Sequence, residues 1–372
     1  MSVNIASMPA GRALDALRAG WTAQAAGALT VSWMLHGRPG VGKTEIVETL
    51  AGEIGARLFD LRLTTIEPQD LRGLPYYDHA AGKTVWYRPE DLPDDPDTPS
   101  ILFLDELTAA PPTLQPVVYG LLQERRVGRH RLPASVLIVA AGNAVEDGAV
   151  AYDLGTALSD RLVHLRIETD ATDWLGNVAL ARGLDPAVTA FIRTRPDLLE
   201  TTEAALNRGE SVFATPRSWV RVSEIMGAVP DRRLRAAMIE GTLGAAVAAE
   251  FQIVADDIAA NLAIDDLIAA PKSRRVALYP ASLHGLHALV HALAARLDRE
   301  TVRPAVEILA GIPELAGARA EPVFAGLPLS ELTTHGFEVL IRRGLDLGLG
   351  EAMLEVPEMS EHMGRREAEG AA

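Results

Sequence analysis

Hydrophobic and polar positions follow two different patterns along this chain. In the first half, short apolar runs bounded by Gly, Pro or charged residues predict strands buried on both faces, over residues 28–35, 57–63, 101–104, 135–143 and 162–167. Helical periodicity predicts helices over 11–25 and 44–56. Strands that alternate with helices in this order are typical of an α/β fold built on a parallel sheet.

The second half of the chain has a helical pattern. Residues 170 to about 267 have helical periodicity, and prolines stand at the predicted helix boundaries, at Pro186, Pro196, Pro216 and Pro230. From residue 271 onward, further helices alternate with Pro- and Gly-rich turns. We therefore predict an α/β domain over 1–168, with inserts at about 69–98 and 125–133, and helical domains over 169–270 and 271–372.

Composition and charge narrow the functional classes. The 372 residues suffice for two or three domains, and 48% of them are hydrophobic, which argues against wholesale disorder. The absence of cysteine excludes disulfides and thiolate metal sites. The sequence has no export signal and no apolar run near the ~20 residues of a membrane span, so we expect a cytoplasmic protein without membrane insertion. A net charge of −15 makes nucleic acid an unfavoured partner.

A phosphate-binding loop is predicted between the strand at 28–35 and the helix at 44–56. Its residues are Gly37, Arg38, Pro39, Gly40, Val41, Gly42, Lys43 and Thr44. This glycine spacing lets the backbone N–H groups curl around phosphates at a helix N-terminus. Lys43 is expected to contact the β- and γ-phosphates, and the Thr44 hydroxyl to ligate Mg²⁺. A second Gly-Lys-Thr at 82–84 lacks the required upstream glycine, so we reject it.

Two carboxylates follow the strand at 101–104. Because parallel α/β sheets bind ligands at the carboxyl ends of their strands, Asp105 is predicted to hold Mg²⁺ through water. Glu106 is predicted to act as the base for the attacking water, or to orient it. An apolar run ending in Asp-Glu is common, but its position about 60 residues beyond the loop, after another predicted strand, favours a hydrolytic role.

Asn143 ends the strand predicted at 135–143. Taken alone, an asparagine here is more often a turn residue. As the third polar strand end in this order, it is predicted to position the water or to contact the γ-phosphate.

Three histidines lie three and four residues apart in one predicted helix, at His284, His287 and His291. Three imidazoles can bind zinc. However, His291 stands two turns from His284, and the nearest downstream acid is Asp298. We favour an ordinary helix face over a metal site.

The order of loop, Asp-Glu strand and Asn-ended strand resembles the AAA+ ATPases, specifically the MoxR-type branch. Further segments similar to that branch are 69–75 (QDLRGLP), 109–112 (AAPP), 121–125 (LLQER), 127–132 and 214–219 (ATPRSW). The similarity is good from about residue 11 to 270. It implies a parallel-sheet P-loop AAA+ core, an α-helical lid at 169–270 and further C-terminal helices, with ATP and Mg²⁺ as cofactors.

The resemblance also implies roles for two arginines. Arg161 stands where the family has its arginine finger, which reaches the nucleotide of the adjacent subunit; a solvated helix-end arginine is the alternative. Arg217 matches the sensor of the lid. Arg125 and Arg126 either face a neighbour's nucleotide, line the pore or are simply exposed. Sites shared between subunits imply a homo-oligomeric ring, usually a hexamer in this family.

The function implied by the resemblance is remodelling or activation of a protein client, with a von Willebrand factor A domain protein as a partner.

The two inserts either project toward the pore or a partner, or pack on their own domain. A nucleic-acid-directed motor is the alternative function, because the second insert carries Arg129, His130 and Arg131. Specificity for ATP over GTP is implied by the family resemblance alone, since the phosphate loop binds the phosphates and does not contact the base.

Overall fold

The computed structural model describes residues 5–143, 159–319 and 321–368, with side chains described up to residue 366. The chain divides into two compact units, Met1–Asp170 and Ala171–Ala372. The predicted regions 169–270 and 271–372 thus fall almost entirely within one unit. The finer division into three domains stays a prediction.

The first unit is built on a sheet of six parallel strands, in the order β1-β10-β2-β9-β6-β3. The strands of this unit, including two short hairpins, are β1 Ser7–Met8, β2 Ser32–His36, β3 Arg57–Arg62, β4 Pro75–Asp78, β5 Lys83–Trp86, β6 Ser100–Asp105, β7 Arg126–Val127, β8 His130–Arg131, β9 Val136–Gly142 and β10 Leu162–Ile167. The predicted parallel α/β architecture is confirmed. Because β2, β9 and β6 are neighbours, their carboxyl ends meet at one edge.

Helices cover both faces of this sheet. They are α1 Ala10–Ala25, α2 Lys43–Ile54, α3 Pro68–Arg72 and α4 Gln115–Glu124, with a 3₁₀ turn at Leu107–Ala109. Successive side chains of a strand point to opposite faces. Accordingly, Trp33 and Leu35 of β2 pack in the cluster formed with α1 and α2, whereas Met34 packs in the cluster formed with α4.

The first core strand begins later than predicted. Residues 28–31 are not part of β2, because α1 ends in a turn in which the N–H groups of Ala28 and Leu29 both donate to the Ala23 carbonyl, at 2.9 and 3.3 Å. Gly27 allows this turn by adopting φ 70°. The apolar pattern over 28–31 therefore marks a helix end and not a strand.

The two inserts form hairpins, β4–β5 and β7–β8, each a separate two-stranded antiparallel sheet. In the first hairpin the Tyr76 and Tyr87 rings stack with centroids 4.3 Å apart, and the Arg72 guanidinium lies over the Trp86 ring. Even so, Tyr77 is 77% exposed. This insert thus keeps part of its aromatic surface in solvent.

The second unit is helical in its described part. Its helices are α5 Ala171–Trp174, α6 Leu180–Arg182, α7 Pro186–Thr194, α8 Thr202–Asn207, α9 Pro216–Ala228, α10 Arg232–Leu243, α11 Ala245–Asn261, α12 Ile264–Ala269, α13 Lys272–Arg275, α14 Leu283–Ala295, α15 Val302–Gly311, α16 Leu315–Ala318, α17 Leu329–Asp346, α18 Gly350–Leu354 and α19 Pro357–Ala368. A π-helical turn, Leu175–Ala179, joins α5 to α6. Pro186 and Pro216 begin helices, as predicted from the missing N–H of proline.

Two hydrophobic clusters hold this unit. One centres on the aromatic rings of Phe191, Trp219 and Phe251, which pack at centroid distances of 5.4–5.5 Å. The other is formed mainly by apolar residues of α14 to α19. Among the described residues of both units, no helix combines the length and hydropathy needed to cross a membrane.

Candidate functional site

The predicted phosphate loop is a tight turn between β2 and α2. Gly40 and Gly42 adopt φ 83° and 102°, in the left-handed region that favours glycine, and α2 begins at Lys43. Gly37 is required for a different reason, since a Cβ there would lie 2.9 Å from the Ile167 carbonyl oxygen of β10. The loop therefore curls at the N-terminus of a 12-residue helix, where free N–H groups favour anions.

Lys43 connects the loop to the end of β9. Its ammonium donates to the carbonyls of Gly37 and Arg38, at 2.5 and 3.0 Å, and to Asn143 Oδ1 at 2.7 Å. The amide of Asn143 thus points toward the loop. Two residues 100 positions apart, both predicted to contact phosphate, lie in direct contact.

Asp105 and Glu106 end β6, beside β9. Asp105 is 9% exposed, its Oδ1 accepts from the Glu106 N–H at 2.9 Å, and its Oδ2 lies 3.6 Å from Arg62 Nη2. The Glu106 carboxylate accepts from the Thr64 hydroxyl at 2.5 Å. Arg62, at the end of β3, and Thr64, just after it, therefore lie beside the predicted hydrolytic carboxylates.

Glu106 has an unusual backbone conformation. Its φ of 58° lies in the left-handed region, which few non-glycine residues adopt and which costs of order 1–3 kcal/mol. Such strain is frequent at functional sites and accords with the predicted role of Glu106.

Thr108 joins the ends of β6 and β9. Its hydroxyl donates to the Asn143 carbonyl at 3.0 Å and accepts from the Asn143 N–H at 3.1 Å. Gly142 permits this approach, because a Cβ there would lie 2.7 Å from the Thr108 side chain. The backbone of Asn143 is thereby held by a residue three positions after Asp105.

The donor set at this edge fits Mg²⁺. The Thr44 hydroxyl and the Asp105 carboxylate are hard oxygen donors, and Mg²⁺ in nucleotide sites is held by one or two such groups together with phosphates and water. Within the described residues, no group of three or more His, Asp or Glu side chains is arranged to hold a metal by itself. Thr44 and Asp105 are thus the residues that could hold the ion.

The two arginines that the resemblance singled out lie in different units. Arg161 precedes β10, is exposed, and donates to Gln123 Oε1 of α4 at 2.8 Å. Arg217 is exposed in the first turn of α9, after Thr215, whose hydroxyl caps the helix by accepting from the Ser218 N–H. The predicted catalytic roles of both arginines remain predictions.

Arg125 has a structural role within its own subunit. Its guanidinium donates to the carbonyls of Pro133 and Val136, at 2.9 and 2.5 Å, and burial lowers its pKa. A neighbour's nucleotide would have to compete with these bonds. Arg126 is exposed and pairs with Glu124 at 2.6 Å.

The three histidines of the second unit share α14, and His335 of α17 joins them. The His335 ring centroid lies 6.3 Å from that of His287 and 6.0 Å from that of His291. His291 is buried, and His284 and His287 are half-buried. Within the described residues, these histidines belong to no group of three or more His, Asp or Glu side chains that could hold a metal ion.

Sequence reasoning missed four side chains near the candidate site: Thr64, Thr108, His36 and His164. Each has a partner 35 to 128 residues away along the chain. Thr108 alone had a local sequence indication, since it follows the Asp-Glu pair closely.

The comparisons with known proteins agree with this architecture. Residues 32–162 match the family model of the AAA domain, dynein-related subfamily. No curated protein matches the chain. Among solved structures, the chain is similar to the RuvB Holliday junction branch migration motor of Thermotoga maritima, with 16% identity, a TM-score of 0.35, and 91% of this chain and 87% of that one covered.

It is also similar to the closed-state reconstruction of Hsp104 with ATPγS and FITC casein, with 13% identity, a TM-score of 0.35, and 47% and 36% of the two chains covered. At such identities and TM-scores, these likenesses support no functional assignment. The family match and the parallel strand order together carry the conclusion. Residues 32–162 of this chain match the AAA domain model, and the sheet on which they lie has the parallel α/β architecture predicted for the AAA+ fold.

Proposed function

We propose that this chain is a Mg²⁺-dependent ATP hydrolase that assembles into a ring and remodels or activates a protein client. One observation carries the hydrolytic part. The phosphate loop, the Asp105–Glu106 pair and Asn143 lie at the ends of three neighbouring parallel strands, with Lys43 Nζ 2.7 Å from Asn143 Oδ1. A bound nucleoside triphosphate would meet all of these groups at one edge.

Each residue at this edge has a proposed role. The loop from Gly37 to Thr44 holds the phosphates, and Lys43 balances their negative charge. Thr44 and Asp105 hold Mg²⁺, which when bound supplies charge neutralisation at the β- and γ-phosphates. Glu106 takes up a proton from the attacking water or orients it, and Asn143 holds that water or the γ-phosphate.

The site is proposed to be completed by a second copy of the chain. Arg161 is exposed and stands ahead of β10, so its guanidinium is available to a neighbour once it leaves Gln123. A site completed head-to-tail closes into a ring, with a hexamer as the expected size. Arg217 is proposed to report the γ-phosphate to the helical unit.

The MoxR-type assignment and a protein client are supported by the first insert. Leu74, Tyr77 and Tyr87 of this insert are 62–77% exposed, an apolar surface suited to a protein partner. A von Willebrand factor A domain protein is the proposed adaptor, following the resemblance of residues 69–75 and 214–219 to that branch.

A nucleic-acid-directed motor is the second candidate. Arg126, Arg129 and Arg131 of the β7–β8 hairpin are exposed and could contact phosphates. The net charge of −15 opposes this function. We expect ATP turnover to be insensitive to single- or double-stranded DNA, whereas a many-fold stimulation would favour the nucleic-acid motor.

The hydrolytic proposal is tested with Glu106→Gln. Loss of the base is expected to lower steady-state phosphate release by roughly 10²-fold or more, while nucleotide affinity is kept. Lys43→Ala serves as the contrasting variant, because it should lose affinity as well. Unchanged turnover in Glu106→Gln would exclude the proposed role of Glu106.

A further inference from the structure

His36, which is buried, and His164, which is half-buried, form a pair beside the phosphate loop. His36 is the last residue of β2, directly before Gly37, and His164 lies on the adjacent strand β10. His36 Nε2 and His164 Nδ1 are 2.8 Å apart, and the rings stack with centroids 5.1 Å apart. His36 is 7% exposed.

The hydrogen bonds of this pair have a defined direction. His164 Nε2 lies 2.9 Å from the Ser159 carbonyl oxygen, which can only accept, so His164 carries its proton on Nε2. In a neutral ring, His164 Nδ1 is then an acceptor, and His36 Nε2–H must be the donor to it. The chain of donors runs from His36 through His164 to the Ser159 carbonyl.

Neutral imidazoles suit this chain of bonds. Burial, the neighbouring His164, and the positive charges of Lys43 and Arg166 lower the pKa of His36 to about 4. His36 therefore stays uncharged at neutral pH.

The Ser159 carbonyl lies outside the sheet pairing, which begins at Leu162 opposite Ser32. His164 thus donates a hydrogen bond to a segment that lies outside the backbone pairing of the sheet. Arg161 follows two residues after Ser159, and among the described residues its side chain has one hydrogen bond, an exposed one to Gln123. The pair joins the backbone next to Arg161 to the strand that carries the phosphate loop.

We propose that His36 and His164 are positioning residues that fix the 159–161 segment relative to the phosphate-loop strand and thereby aim Arg161 at the neighbouring subunit's nucleotide. This inference rests on the proposed function of Arg161 as a finger acting between subunits. Neither histidine contacts the nucleotide in this proposal. Apolar side chains could fill the same volume, but they would leave the Ser159 carbonyl without this partner.

Two substitutions of His164 separate its bond to His36 from its bond to the Ser159 carbonyl. In His164→Gln, the side-chain amide can reach the position of Nε2 and still donate to Ser159. In His164→Asn, the amide reaches only the position of Nδ1, so it can accept from His36 but loses Ser159. Both variants remove one aromatic ring, which makes them a matched pair.

We expect His164→Asn to lower kcat about tenfold, the scale of effect produced by small misplacements of a catalytic group, with nucleotide affinity unchanged. His164→Gln should retain clearly more turnover than His164→Asn. Equal losses in the two variants would overturn the proposal. So would loss of nucleotide affinity in His164→Asn, because the pair would then support the loop and not Arg161.

Mixed assemblies of the full chain complete the test. Lys43→Ala subunits cannot use their own site but offer an intact Arg161, so mixing them with His164→Asn subunits should raise turnover above the sum of the separate proteins. A mixture of Lys43→Ala with Arg161→Ala subunits tests the proposed function itself. Rescue of Arg161→Ala without rescue of His164→Asn overturns this inference alone, whereas rescue of neither overturns the shared site and the inference with it.

Discussion

The edge of the sheet in the first unit and the α14 region of the second unit bury the same kind of side chain in opposite ways. At the sheet edge, the imidazoles of His36 and His164 have directed hydrogen bonds. At α14, His287 Nδ1, His291 Nε2 and the Nε2 of His335 on α17 are buried and have no hydrogen-bond partner among the described residues. The imidazoles of the first region are thus oriented by hydrogen bonds, whereas those of the second region each bury a nitrogen without such a bond.

The electrostatic consequence is largest in the second region. Burial is the main cause that lowers the pKa of His287 and His291 to about 3 and that of His335 to about 4, and the Arg193 charge adds to the shift of all three. An unpaired buried polar group costs about 1–3 kcal/mol. These nitrogens therefore lower the stability of the second unit rather than raise it.

Acid should destabilise the second unit more than any single substitution. The folded pKa values lie below the unfolded value of about 6.5, so the unfolded chain binds more protons and stability falls as pH drops below about 6.5. The expected slope is roughly 1.4 kcal/mol per pH unit for each histidine, or about 4 for the three together as an upper limit.

Amide hydrogen exchange of α14, corrected for the intrinsic pH dependence of exchange, measures this slope within the full chain. The amides of β9 provide the comparison, and a smaller slope is expected there because His36 contributes to it as one histidine with a lowered pKa. An α14 protection free energy that is constant between pH 7 and 5 would show that these histidines are not held neutral.

Thr108→Val should have the next largest effect. Valine keeps the shape of threonine but leaves the N–H and carbonyl of Asn143 without the hydroxyl, which should destabilise the first unit by about 1–3 kcal/mol. Turnover should fall because Asn143 is no longer fixed. Thr108→Ser, which keeps the hydroxyl, is the control for unfolding free energy and phosphate release. Equal behaviour of the two variants would show that the bonds to Asn143 are dispensable.

His291→Leu at pH 7.5 should have the smallest effect, within about 1 kcal/mol of the parent or stabilising, because it removes a buried group that has no partner. The same variant should lose about a third of the acid slope of α14. Unfolding of the variant and the parent by denaturant at pH 7.5 and at pH 5 checks the two expectations together. A loss of several kcal/mol at pH 7.5 would mean that His291 has a bonding role like that of His164.

Much of the fold followed from local sequence features. The apolar runs predicted five of the six strands of the parallel sheet, all but β1, and prolines were predicted at helix boundaries in the second unit, where Pro186 and Pro216 begin helices. The predicted start of the first core strand was wrong. The apolar residues that suggested it begin in the turn that follows α1. Hydrophobicity alone does not distinguish the turn after a helix from the first residues of a strand.

The sequence by itself determined the phosphate loop and the carboxylates that follow β6, because glycine spacing and strand-end position are local properties of the chain. Only the tertiary structure decided that Lys43 meets Asn143, that Thr108 holds the Asn143 backbone, and that His36 and His164 join the loop strand to the segment before Arg161. Each of these contacts joins residues 35 to 128 positions apart, and it exists because parallel pairing brings the ends of distant strands to one edge. Which histidines are bonded and which are only buried is likewise set by neighbours from other elements, and no spacing along the chain records it.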